Sequence, residues 1–557
     1  MNPELVDPDA LLQAAVAWRD QDPDAQTRAE LDGLIDAARQ GDASALAARF
    51  ATRLAFGTAG LRGELGAGPN RMNRVLVTQA AAGLAAYLLS HGGAPSIVIG
   101  YDGRRNSEVF ARDTATIMAG AGIATTLLPR ALPTPVLAFA VRHLRASAGV
   151  MVTASHNPAN DNGYKVYLGD ENHGSQIVPP DDIIIAAAIT QIAASPITEL
   201  PRSTDFIVAD DTILHEYVAA TAAVGAPAAP ISFVYSAMHG VGWETARAVF
   251  AAAGFGEPTV VTEQIEPDAA FPTVAFPNPE EPGAMDLTLA RAAEVGADLA
   301  IVNDPDADRL AVAIPGRDGT WRRLSGNEVG YLLGWRAAER TVEGANADGV
   351  LAASIVSSPA LRAVADQYRL QYVDTLTGFK WISRVPHLAY GFEEALGYLV
   401  DPGVLRDKDG ISAAVDFLAL ASELKAAGRT LDDRFDEFAD RFGAFASAQV
   451  SLRFDDLSEI GATMGRLRGA LPSTVGSIAV ASIDDFADGF EGFPPGDILR
   501  LHFDDGSRVI VRPSGTEPKL KVYIDASSEA GTAAERRAAA EATVAELEAG
   551  MRALLAP

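Results

Sequence analysis

The spacing of apolar and polar positions changes twice along the 557-residue chain. The first 50 residues place apolar side chains at helical spacing and contain no run of β-branched residues, which predicts helices. Short apolar runs then alternate with helical stretches, a rhythm that is typical of β-α-β units and favours parallel sheets. The runs predicted to be strands are residues 96–100, 149–153, 231–235, 259–262, 299–302 and 350–356.

The C-terminal part of the chain shows a different pattern. Alternating apolar positions predict strands at 448–454, 478–481, 498–503 and 508–511, with helices at 457–471 and 533–554. Residues 504–507, Asp-Asp-Gly-Ser, suit a hairpin turn between two of these strands. We therefore expect a small α+β domain with an antiparallel sheet. Segments rich in turn residues place the domains at 1–203, 204–322, 323–444 and 445–557.

Composition and charge narrow the possible functions. The net charge of −28 and the pI of about 4.6 argue against nucleic acid and against an anionic membrane surface as partners. The absence of cysteine excludes disulfides, thiolate nucleophiles and Cys-ligated metals. Residues 1–20 lack the features of a signal peptide and no 18 consecutive residues are apolar, so we expect a cytoplasmic protein.

An acidic cluster follows the apolar run at 299–302. Its sequence is Asp-Pro-Asp-Ala-Asp-Arg, with carboxylates at Asp304, Asp306 and Asp308 and a guanidinium at Arg309. Three carboxylates so close repel one another unless a divalent cation neutralises them, and hard oxygen ligands suit Mg²⁺. The cluster therefore indicates metal-assisted chemistry on a phosphorylated compound, although Asp-rich turns that bind nothing are also common.

A second candidate loop is Thr-Ala-Ser-His-Asn-Pro at 153–158. It places Ser155 at the carboxyl end of a predicted strand, where ligands bind in open α/β sheets. No glycines flank this serine as they do in a lipase-type nucleophile elbow, so another means of activation is needed. Taken alone, Ser155 reads as a turn residue and His156 as a hydrogen-bonding loop residue. A phosphate on Ser155 whose oxygen completes a metal site would supply the activation that the serine lacks.

Two further loops carry groups that suit a sugar phosphate. Residues 512–519, Arg-Pro-Ser-Gly-Thr-Glu-Pro-Lys, combine a guanidinium fork, two hydroxyls and a glycine-permitted backbone nest, which together suit a phosphate dianion. Residues 391–398 carry the adjacent carboxylates Glu393 and Glu394, which could accept hydrogen bonds from sugar hydroxyls. The second loop is weak evidence alone, because a solvated acidic loop has the same composition.

In this order, the four loops resemble those of the α-D-phosphohexomutase superfamily, the phosphoglucomutases and phosphomannomutases, over almost the whole chain. They correspond to that family's phosphoserine, magnesium, sugar and phosphate loops, and the segment 56–63, Phe-Gly-Thr-Ala-Gly-Leu-Arg-Gly, resembles its amino-terminal motif. The resemblance implies an α/β architecture of four domains around a central cleft, three α/β domains with mixed sheets and a C-terminal α+β domain.

The resemblance also implies roles for individual residues. The implied catalytic residues are Ser155 as the phosphorylated serine, Arg62, Lys165 and His156, and the implied Mg²⁺ ligands are Ser155, Asp304, Asp306 and Asp308. The implied substrate-binding residues are Arg309, Thr377, Gly378, Lys380, Glu393 and Ala395. The phosphate that is not transferred would be held by Arg512, Ser514, Gly515, Thr516 and Lys519. Lys165 would exchange protons if Arg62 and the metal lower its pKa, or would act only as a cation.

The reaction implied by the resemblance interconverts sugar 1-phosphates and 6-phosphates through a bisphosphorylated intermediate, with a sugar 1,6-bisphosphate as activator. Many family members have a serine where this chain has Ala395, and this difference makes the chain more like the branch that includes phosphopentomutases. Glucose, mannose and pentose phosphates all remain open as substrates. A metal-dependent phosphatase with Asp304 as nucleophile is the rival from another class, and a silent sugar-phosphate sensor is a third reading. The oligomeric state, monomer or homodimer, also stays open.

Overall fold

Contacts divide the chain into two structural units. The computed structural model describes residues 8–344, 348–454, 457–514 and 519–555. The first unit comprises Met1–Pro315, Gly319–Arg323 and Gly397–Ser422, and the second comprises Gly316–Asp318, Leu324–Leu396 and Glu423–Pro557. Each unit is described separately below. No helix in the described ranges combines the length and the apolar character that crossing a membrane would require.

The first unit opens with helices, which confirms the helical prediction for this segment. They are α1 (Pro8–Gln21), α2 (Ala25–Arg39) and α3 (Ser44–Phe50). The side chain of Asp24 caps α2 by accepting a hydrogen bond from the backbone N–H of Gln26. The helices pack through a shared apolar cluster that includes Leu11, Trp18, Leu31, Ile35 and Leu46. This cluster is separate from the core of the sheet that follows.

The first sheet has the strand order β1-β5-β4-β2-β3-β7, with β6 paired to β5. Its elements are β1 (Leu61–Glu64), α4 (Arg74–Ser90), β2 (Ser96–Tyr101), α5 (Ser107–Gly120), β3 (Ala124–Leu127), α6 (Thr134–His143), β4 (Ala148–Val152), β5 (Asp161–Leu168), β6 (Ser175–Gln176), α7 (Asp181–Ile192) and β7 (Ile207–Val208). Strands β4, β2, β3 and β7 run parallel, whereas β5 returns antiparallel beside β4 and β1. In this register Lys165 faces Met151, and Arg62 faces Gly163. Both cations are thus carried to the end of β4 that leads into Ser155.

The second sheet has the strand order β12-β11-β10-β8-β9. Its elements are α8 (Thr212–Ala222), β8 (Phe233–Ser236), α9 (Gly242–Ala252), β9 (Thr259–Val260), α10 (Asp286–Val295), β10 (Leu299–Asn303), β11 (Leu310–Pro315) and β12 (Trp321–Arg323). Strand β10 lies parallel to β8 and antiparallel to β11. The sheet is therefore mixed, as expected for these domains, with the parallel order that the alternating pattern favours kept among β10, β8 and β9. The loop between β10 and β11 is too short for the crossover that a parallel pair requires.

The second unit contains a parallel sheet in which β13 lies between β14 and β15. Its elements are α11 (Gly326–Glu343), β13 (Val350–Ser354), α12 (Ala360–Tyr368), β14 (Gln371–Thr375), α13 (Phe379–Ile382), β15 (Leu388–Glu393) and α15 (Leu431–Phe442). Between β15 and α15 the chain forms β16 (Gly397–Leu399) and α14 (Gly410–Ala426).

The second unit ends in an antiparallel sheet with the strand order β17-β22-β21-β20-β19-β18. Its elements are β17 (Ala444–Arg453), α16 (Leu457–Gly469), β18 (Thr474–Val475), β19 (Ile478–Asp485), β20 (Leu499–Phe503), β21 (Arg508–Pro513), β22 (Lys519–Ser528) and α17 (Ala533–Leu554). The predicted α+β character and the hairpin at 504–507 are confirmed, with Gly506 at φ +83° in the turn. Strand β22 was not predicted. The arrangement of four domains around a cleft stays a prediction.

Candidate active site

The loop after β4 holds Ser155 in an unusual backbone conformation. Its φ of +51° lies in the left-handed region, which costs a non-glycine residue about 1 kcal/mol or more. The N–H of Ser155 donates to the hydroxyl of Thr153 at 2.8 Å, and the N–H of Asn157 donates to the carbonyl of Ala154 at 3.0 Å. These bonds turn the chain sharply at the end of the strand. The Ser155 side chain is consequently fixed at the strand end and buried.

Arg104 stabilises this loop by hydrogen bonds to its backbone carbonyls. Its guanidinium donates to the carbonyl oxygens of Ser155 at 2.6 Å and Asn157 at 2.5 Å. It also donates to the carbonyls of Pro158 at 2.7 Å and Asp161 at 3.2 Å. These carbonyls point inward because the loop is tightly wound, and a buried carbonyl without a donor is costly. Arg104 therefore stabilises the conformation that presents Ser155.

The acidic loop connects β10 to β11 and is held at both ends. The side-chain amide of Asn303 donates to the carbonyl of Arg309 at 2.7 Å, and the N–H of Arg309 donates to the carboxylate of Asp304 at 3.0 Å. Gly240 packs against the middle of the loop, where a Cβ atom would lie only 2.2 Å from the Cα of Pro305. Only glycine allows this approach.

Side chains of the loop that carries Ser155 contact side chains of the acidic loop. The hydroxyl of Ser155 donates to Asp304 Oδ2 at 2.9 Å. The ammonium of Lys165 donates to Asp306 Oδ2 and to Asp308 Oδ2, both at 2.8 Å. Ser155 and Asp304 are 149 positions apart in the sequence, and Lys165 and Asp306 are 141 apart. The fold of the first unit thus brings distant residues into contact.

The three carboxylates fit a metal ion. One oxygen from each of Asp304, Asp306 and Asp308 lies within 4.8 Å of the others, and all three side chains are buried. Among the described residues, Asp306 Oδ1 and Asp308 Oδ1 are buried and have no hydrogen-bond partner. Buried carboxylate oxygens without donors are expensive, and a hard divalent cation would satisfy them. The trio is therefore able to hold a metal ion.

The electrostatics of the trio agree with this reading. Burial, and then the charges of Asp306 and Asp308, raise the pKa of Asp304 well above its usual value. Burial opposes the charge of Asp308 too, but the cations around it, Lys165 first and then Lys408 and Arg309, outweigh burial and lower its pKa. The negative charge of an ionised Asp304 is thus not balanced by its neighbours, and a bound metal cation would balance it.

The electrostatic surroundings shift the pKa values of Lys165 and His156 in opposite directions. Burial disfavours the charge of Lys165, but the carboxylates of Asp306 and Asp308 outweigh burial and raise the pKa of its ammonium. These contacts favour the charged ammonium, and proton exchange by Lys165, which the sequence analysis ties to a bound metal, stays a prediction. Burial, followed by the guanidiniums of Arg309 and Arg62, lowers the pKa of His156 well below its usual value. The neutral ring places Nδ1 3.1 Å from the hydroxyl oxygen of Ser155.

Arg62 and Arg309 complete the first unit's part of the site. Arg62 donates to the side-chain oxygen of Asn157 in the serine loop at 3.3 Å. Arg309 Nε lies 3.9 Å from Asp304 and 3.8 Å from Asp308. All the implied catalytic and metal-binding residues, together with Arg309, are thus gathered around Ser155.

The other implied substrate residues belong to the second unit. Glu393 ends β15 and is buried, while the carboxylate of Glu394 accepts hydrogen bonds from the hydroxyls of Ser354 at 3.2 Å and Ser357 at 3.3 Å. Ala395 follows in a half-buried position. Glu394 therefore helps to fix the conformation of this loop, and sugar contact by Glu393 stays a prediction.

Thr377 and Gly378 lie between β14 and α13, Lys380 lies within α13, and all three are half-buried. Gly378 has a φ of +108°, a conformation that side chains rarely adopt, and it directly precedes the helix. The turn fixes Lys380 in the first turn of α13. These positions suit contact with a substrate, but their assignment stays a prediction.

In the implied phosphate loop, Arg512 lies on β21 opposite Lys521 of β22. The N–H of Ser514 donates to the carbonyl of Lys519 at 2.8 Å, so the two ends of the loop are joined. Gly515 and Thr516 lie outside the described residues. The described part of the loop is thus its two hydrogen-bonded ends, and the guanidinium of Arg512 at the first end is half-buried.

Three side chains at the site were missed in the sequence analysis. They are Arg104, Thr134, whose hydroxyl donates to Asp306 Oδ2 at 2.7 Å, and Lys408, whose Nζ lies 3.4 Å from Asp308 Oδ2. Arg104 and Lys408 stand in the short polar runs Asp-Gly-Arg-Arg-Asn-Ser (102–107) and Arg-Asp-Lys-Asp-Gly (406–410), each bounded by apolar segments. That pattern is the signal that could have found them.

The mixed α/β sheets and the groups gathered at Ser155 are those of a phosphoryl-transferring enzyme. Four domain families match the chain: Phosphoglucomutase/phosphomannomutase, alpha/beta/alpha domain I over residues 53–195, domain II over 215–317, domain III over 325–442, and the C-terminal domain over 451–542. The chain belongs to the phosphoglucomutase/phosphomannomutase family.

Similar proteins agree with this membership. A "Probable phosphomannomutase" of Haemophilus influenzae is 53% identical over 485 residues, which cover 87% of this chain and 98% of that protein. A "Phosphopentomutase" of Mus musculus is 35% identical over 532 residues, covering 86% and 84%. A crystal structure of a phosphoglucomutase/phosphomannomutase family protein from Burkholderia thailandensis has a TM-score of 0.68 at 18% identity, covering 90% and 97%, and shows the shared fold.

These findings confirm the family, the fold class and the enzyme class expected from the sequence. The chain is a phosphosugar mutase, an isomerase of carbohydrate metabolism.

Proposed function

We propose that the protein interconverts hexose 1-phosphates and 6-phosphates, of glucose, mannose or both, through a phosphorylated Ser155. The observation that carries the proposal is the 2.9 Å hydrogen bond from the Ser155 hydroxyl to Asp304, one of three buried carboxylates. A phosphate on Ser155 would reach the same carboxylates. Asp304, Asp306 and Asp308 would hold Mg²⁺ together with an oxygen of that phosphate.

The bound Mg²⁺ would polarise the phosphoryl group and neutralise the charge that develops on it. The residues of the chain bind and orient the phosphoryl group. Lys165 and Arg62 supply fixed positive charge beside the phosphoryl group. His156 Nδ1, at 3.1 Å from Ser155 Oγ, is placed to exchange a proton with that oxygen.

In the proposed cycle, the phosphoryl group passes from Ser155 to the free hydroxyl of a bound sugar monophosphate, which gives a sugar bisphosphate. The bisphosphate turns end for end, and its other phosphate returns to Ser155. A trace of sugar 1,6-bisphosphate would therefore prime the enzyme. The phosphate that does not react would be held by Arg512 and Ser514 in the second unit, together with Gly515, Thr516 and Lys519.

A second candidate is the conversion of pentose 1-phosphates to pentose 5-phosphates. It is favoured by Ala395, which has no hydroxyl to offer a sugar, and by the similarity to a phosphopentomutase. The chemistry at Ser155 is the same for both candidates. Only the groups that hold the sugar distinguish them.

Phosphorus NMR of the protein with Mg²⁺, a trace of glucose 1,6-bisphosphate and one 1-phosphate at a time tests both candidates. We expect glucose or mannose 1-phosphate to give its 6-phosphate, with ribose 1-phosphate as the comparison that ranks pentoses. The Ser155→Ala variant is the control and should give no product. Stoichiometric release of inorganic phosphate would instead indicate the metal-dependent phosphatase, and turnover by Ser155→Ala would refute the phosphoserine.

A further inference from the structure

Within the second unit, the β14-β13-β15 sheet is joined to the terminal sheet by one buried apolar cluster. Ile355 and Val356, which follow β13, pack with side chains of the terminal sheet and its loops. These partners are Phe486, Ile498, Ile510 and Tyr523. Burial of large apolar side chains on both sides makes the two sheets one packed body at this point.

An arginine, Arg508, crosses the same junction. Arg508, on β21, donates from Nε to Asp525 of β22 at 3.0 Å, and its terminal nitrogen donates to the carbonyl of Ser357 in the other sheet's loop. Asp374, on β14, adds a second carboxylate to its electrostatic surroundings. Since Arg508 is 12% exposed, these interactions are shielded from water and strengthened accordingly.

The residue that Arg508 holds also shapes the sugar loop. The hydroxyl of Ser357 accepts a hydrogen bond from the N–H of Glu394 at 3.0 Å and donates to the Glu394 carboxylate at 3.3 Å. It lies 2.8 Å from the hydroxyl of Ser354, which donates to the same carboxylate at 3.2 Å. A shift of Ser357 would therefore move the backbone next to Glu393.

Arg508 is tied equally directly to the phosphate loop. Arg512 follows it on the same strand, and residues four apart on a strand project from the same face about 13 Å apart. The register of β21 with β22 is continuous from Arg508 to Pro513. The position of Arg512 is thus set relative to Arg508 by an unbroken pair of strands.

We infer that Arg508 is a positioning residue that fixes the distance between the phosphate clamp at Arg512 and the sugar loop at Glu393. This inference rests on the proposed function, because it assumes that both loops hold one sugar phosphate. The non-reacting phosphate and the ring hydroxyls must reach their partners simultaneously, so the fixed distance selects sugars by length. Loosening the junction weakens binding of the correct substrate and lowers discrimination between hexose and pentose phosphates.

The variants Arg508→Met, Arg508→Lys and Ser357→Ala test this role, with Arg468→Met as the matched control. Arg468 also bonds two carboxylates, those of Asp485 and Asp497, but both belong to the terminal sheet and its loops. We expect Arg508→Met to raise the KM for the preferred sugar phosphate at least tenfold while kcat stays within threefold. The KM of Arg508→Lys should lie between those of Arg508→Met and the wild type. The KM of Arg468→Met should equal that of the wild type.

Two further readouts separate positioning from general loss of structure. The ratio of kcat/KM for hexose and pentose phosphates should change at least threefold in Arg508→Met, whereas partial unfolding would lower both values equally. In the double variant with Ser357→Ala, KM should stay within twofold of the larger single effect, because both changes act on one link.

A folded Arg508→Met with KM within twofold of the wild type, or effects that multiply in the double variant, would overturn the inference. Should Arg508→Met fail to fold, Ser357→Ala decides alone: a KM raised at least fivefold supports the link, and an unchanged KM rejects it. Failure of the proposed function is distinguishable, since the wild-type protein would then form no isomer at all.

Discussion

At the scale of single residues, the site depends on how Ser155 is presented. Its left-handed backbone is unfavourable, and the loop keeps that conformation because Arg104 gives donors to its inward carbonyls. Asp102, beside Arg104, lies 3.5 Å from the guanidinium and balances its charge. The buried pair of Asp102 and Arg104 thus stabilises the turn that carries Ser155.

Arg104→Lys should therefore lower kcat by about tenfold to a hundredfold, because one ammonium cannot replace a fork that reaches four carbonyls and a small displacement of the nucleophile is costly. Steady-state kinetics and the rate of Ser155 phosphorylation, followed by intact mass, measure this. Arg105→Lys is the control, since Arg105 is exposed and its guanidinium donates to the side chain of Asn160 rather than to the carbonyls around Ser155. An unchanged kcat in a folded Arg104→Lys would contradict the positioning role.

Asp306→Asn tests the metal site. The change removes one carboxylate charge and leaves an amide, a weaker ligand for a hard cation. We expect Mg²⁺ affinity to fall at least tenfold in isothermal titration and kcat to fall about a hundredfold or more, with EDTA abolishing wild-type activity. Asp161→Asn, which alters a carboxylate bonded to Asn157 outside the trio, should retain Mg²⁺ binding. Equal affinity in both variants would argue against the assignment.

The residues that the sequence revealed are those whose chemistry is local. Asp304, Asp306 and Asp308 are recognisable by their spacing, whereas Ser155 is recognisable only by the resemblance of its six-residue loop to a known motif. Arg104 is 51 positions from Ser155, and its role depends on how a loop folds over its side chain. The direction of the Lys165 pKa was also beyond reach, because it depends on which carboxylates the fold places beside the ammonium.

At the scale of elements, the start of α14 contains a buried carboxyl with a shifted pKa. Asp409 accepts hydrogen bonds from the N–H groups of Ile411 at 2.9 Å and Ser412 at 3.1 Å, and from the Tyr217 hydroxyl at 3.0 Å. Burial raises the pKa of Asp409 from its usual 3.8 to about 6, although these bonds favour the charged form. The capping bonds are thus too weak to offset desolvation fully.

This shift makes stability fall as pH rises. Between about pH 4 and pH 6 the folded protein keeps the proton on Asp409 while the unfolded chain releases it, so the contribution is present at acid pH and lost as pH rises through about 6. The shift corresponds to about 3 kcal/mol. Thermal melts at pH 5 and pH 7.5 should show wild type losing stability relative to Asp409→Asn, which cannot ionise. A pH-independent difference between the two would contradict this.

The helices and strands also differ in how far the sequence predicts them. The hairpin at 504–507 and the helix at 533–554 follow from local signals, and both are present. Strand β22 was missed although Leu520, Val522 and Ile524 alternate in it, because the phosphate-loop motif assigned Lys519 to a turn. Antiparallel β5 and β11 could not be predicted as such, since pairing is decided by tertiary contacts rather than by propensity.

At the scale of the whole molecule, the proposed roles are divided between the two units. Ser155 and the carboxylate trio lie in the first, and Glu393 and Arg512, the proposed sugar and phosphate contacts, lie in the second. Because the net charge is −28, binding of a phosphate requires local cations such as the guanidinium of Arg512. Binding and reaction should therefore be separable by substitution.

Arg512→Ala tests this separation. Loss of a charge-assisted hydrogen bond to phosphate costs about 1.5–3 kcal/mol, so KM should rise about tenfold to a hundredfold. Mg²⁺ affinity and phosphorylation of Ser155 by excess glucose 1,6-bisphosphate should persist, because their ligands lie in the other unit. Arg468→Ala, which removes a cation from the same terminal part of the chain, should leave KM unchanged. If Arg512→Ala retained the wild-type KM, the clamp would lie elsewhere; if it lost Mg²⁺ binding, the two functions would not be divided as the carboxylate trio and β21 indicate.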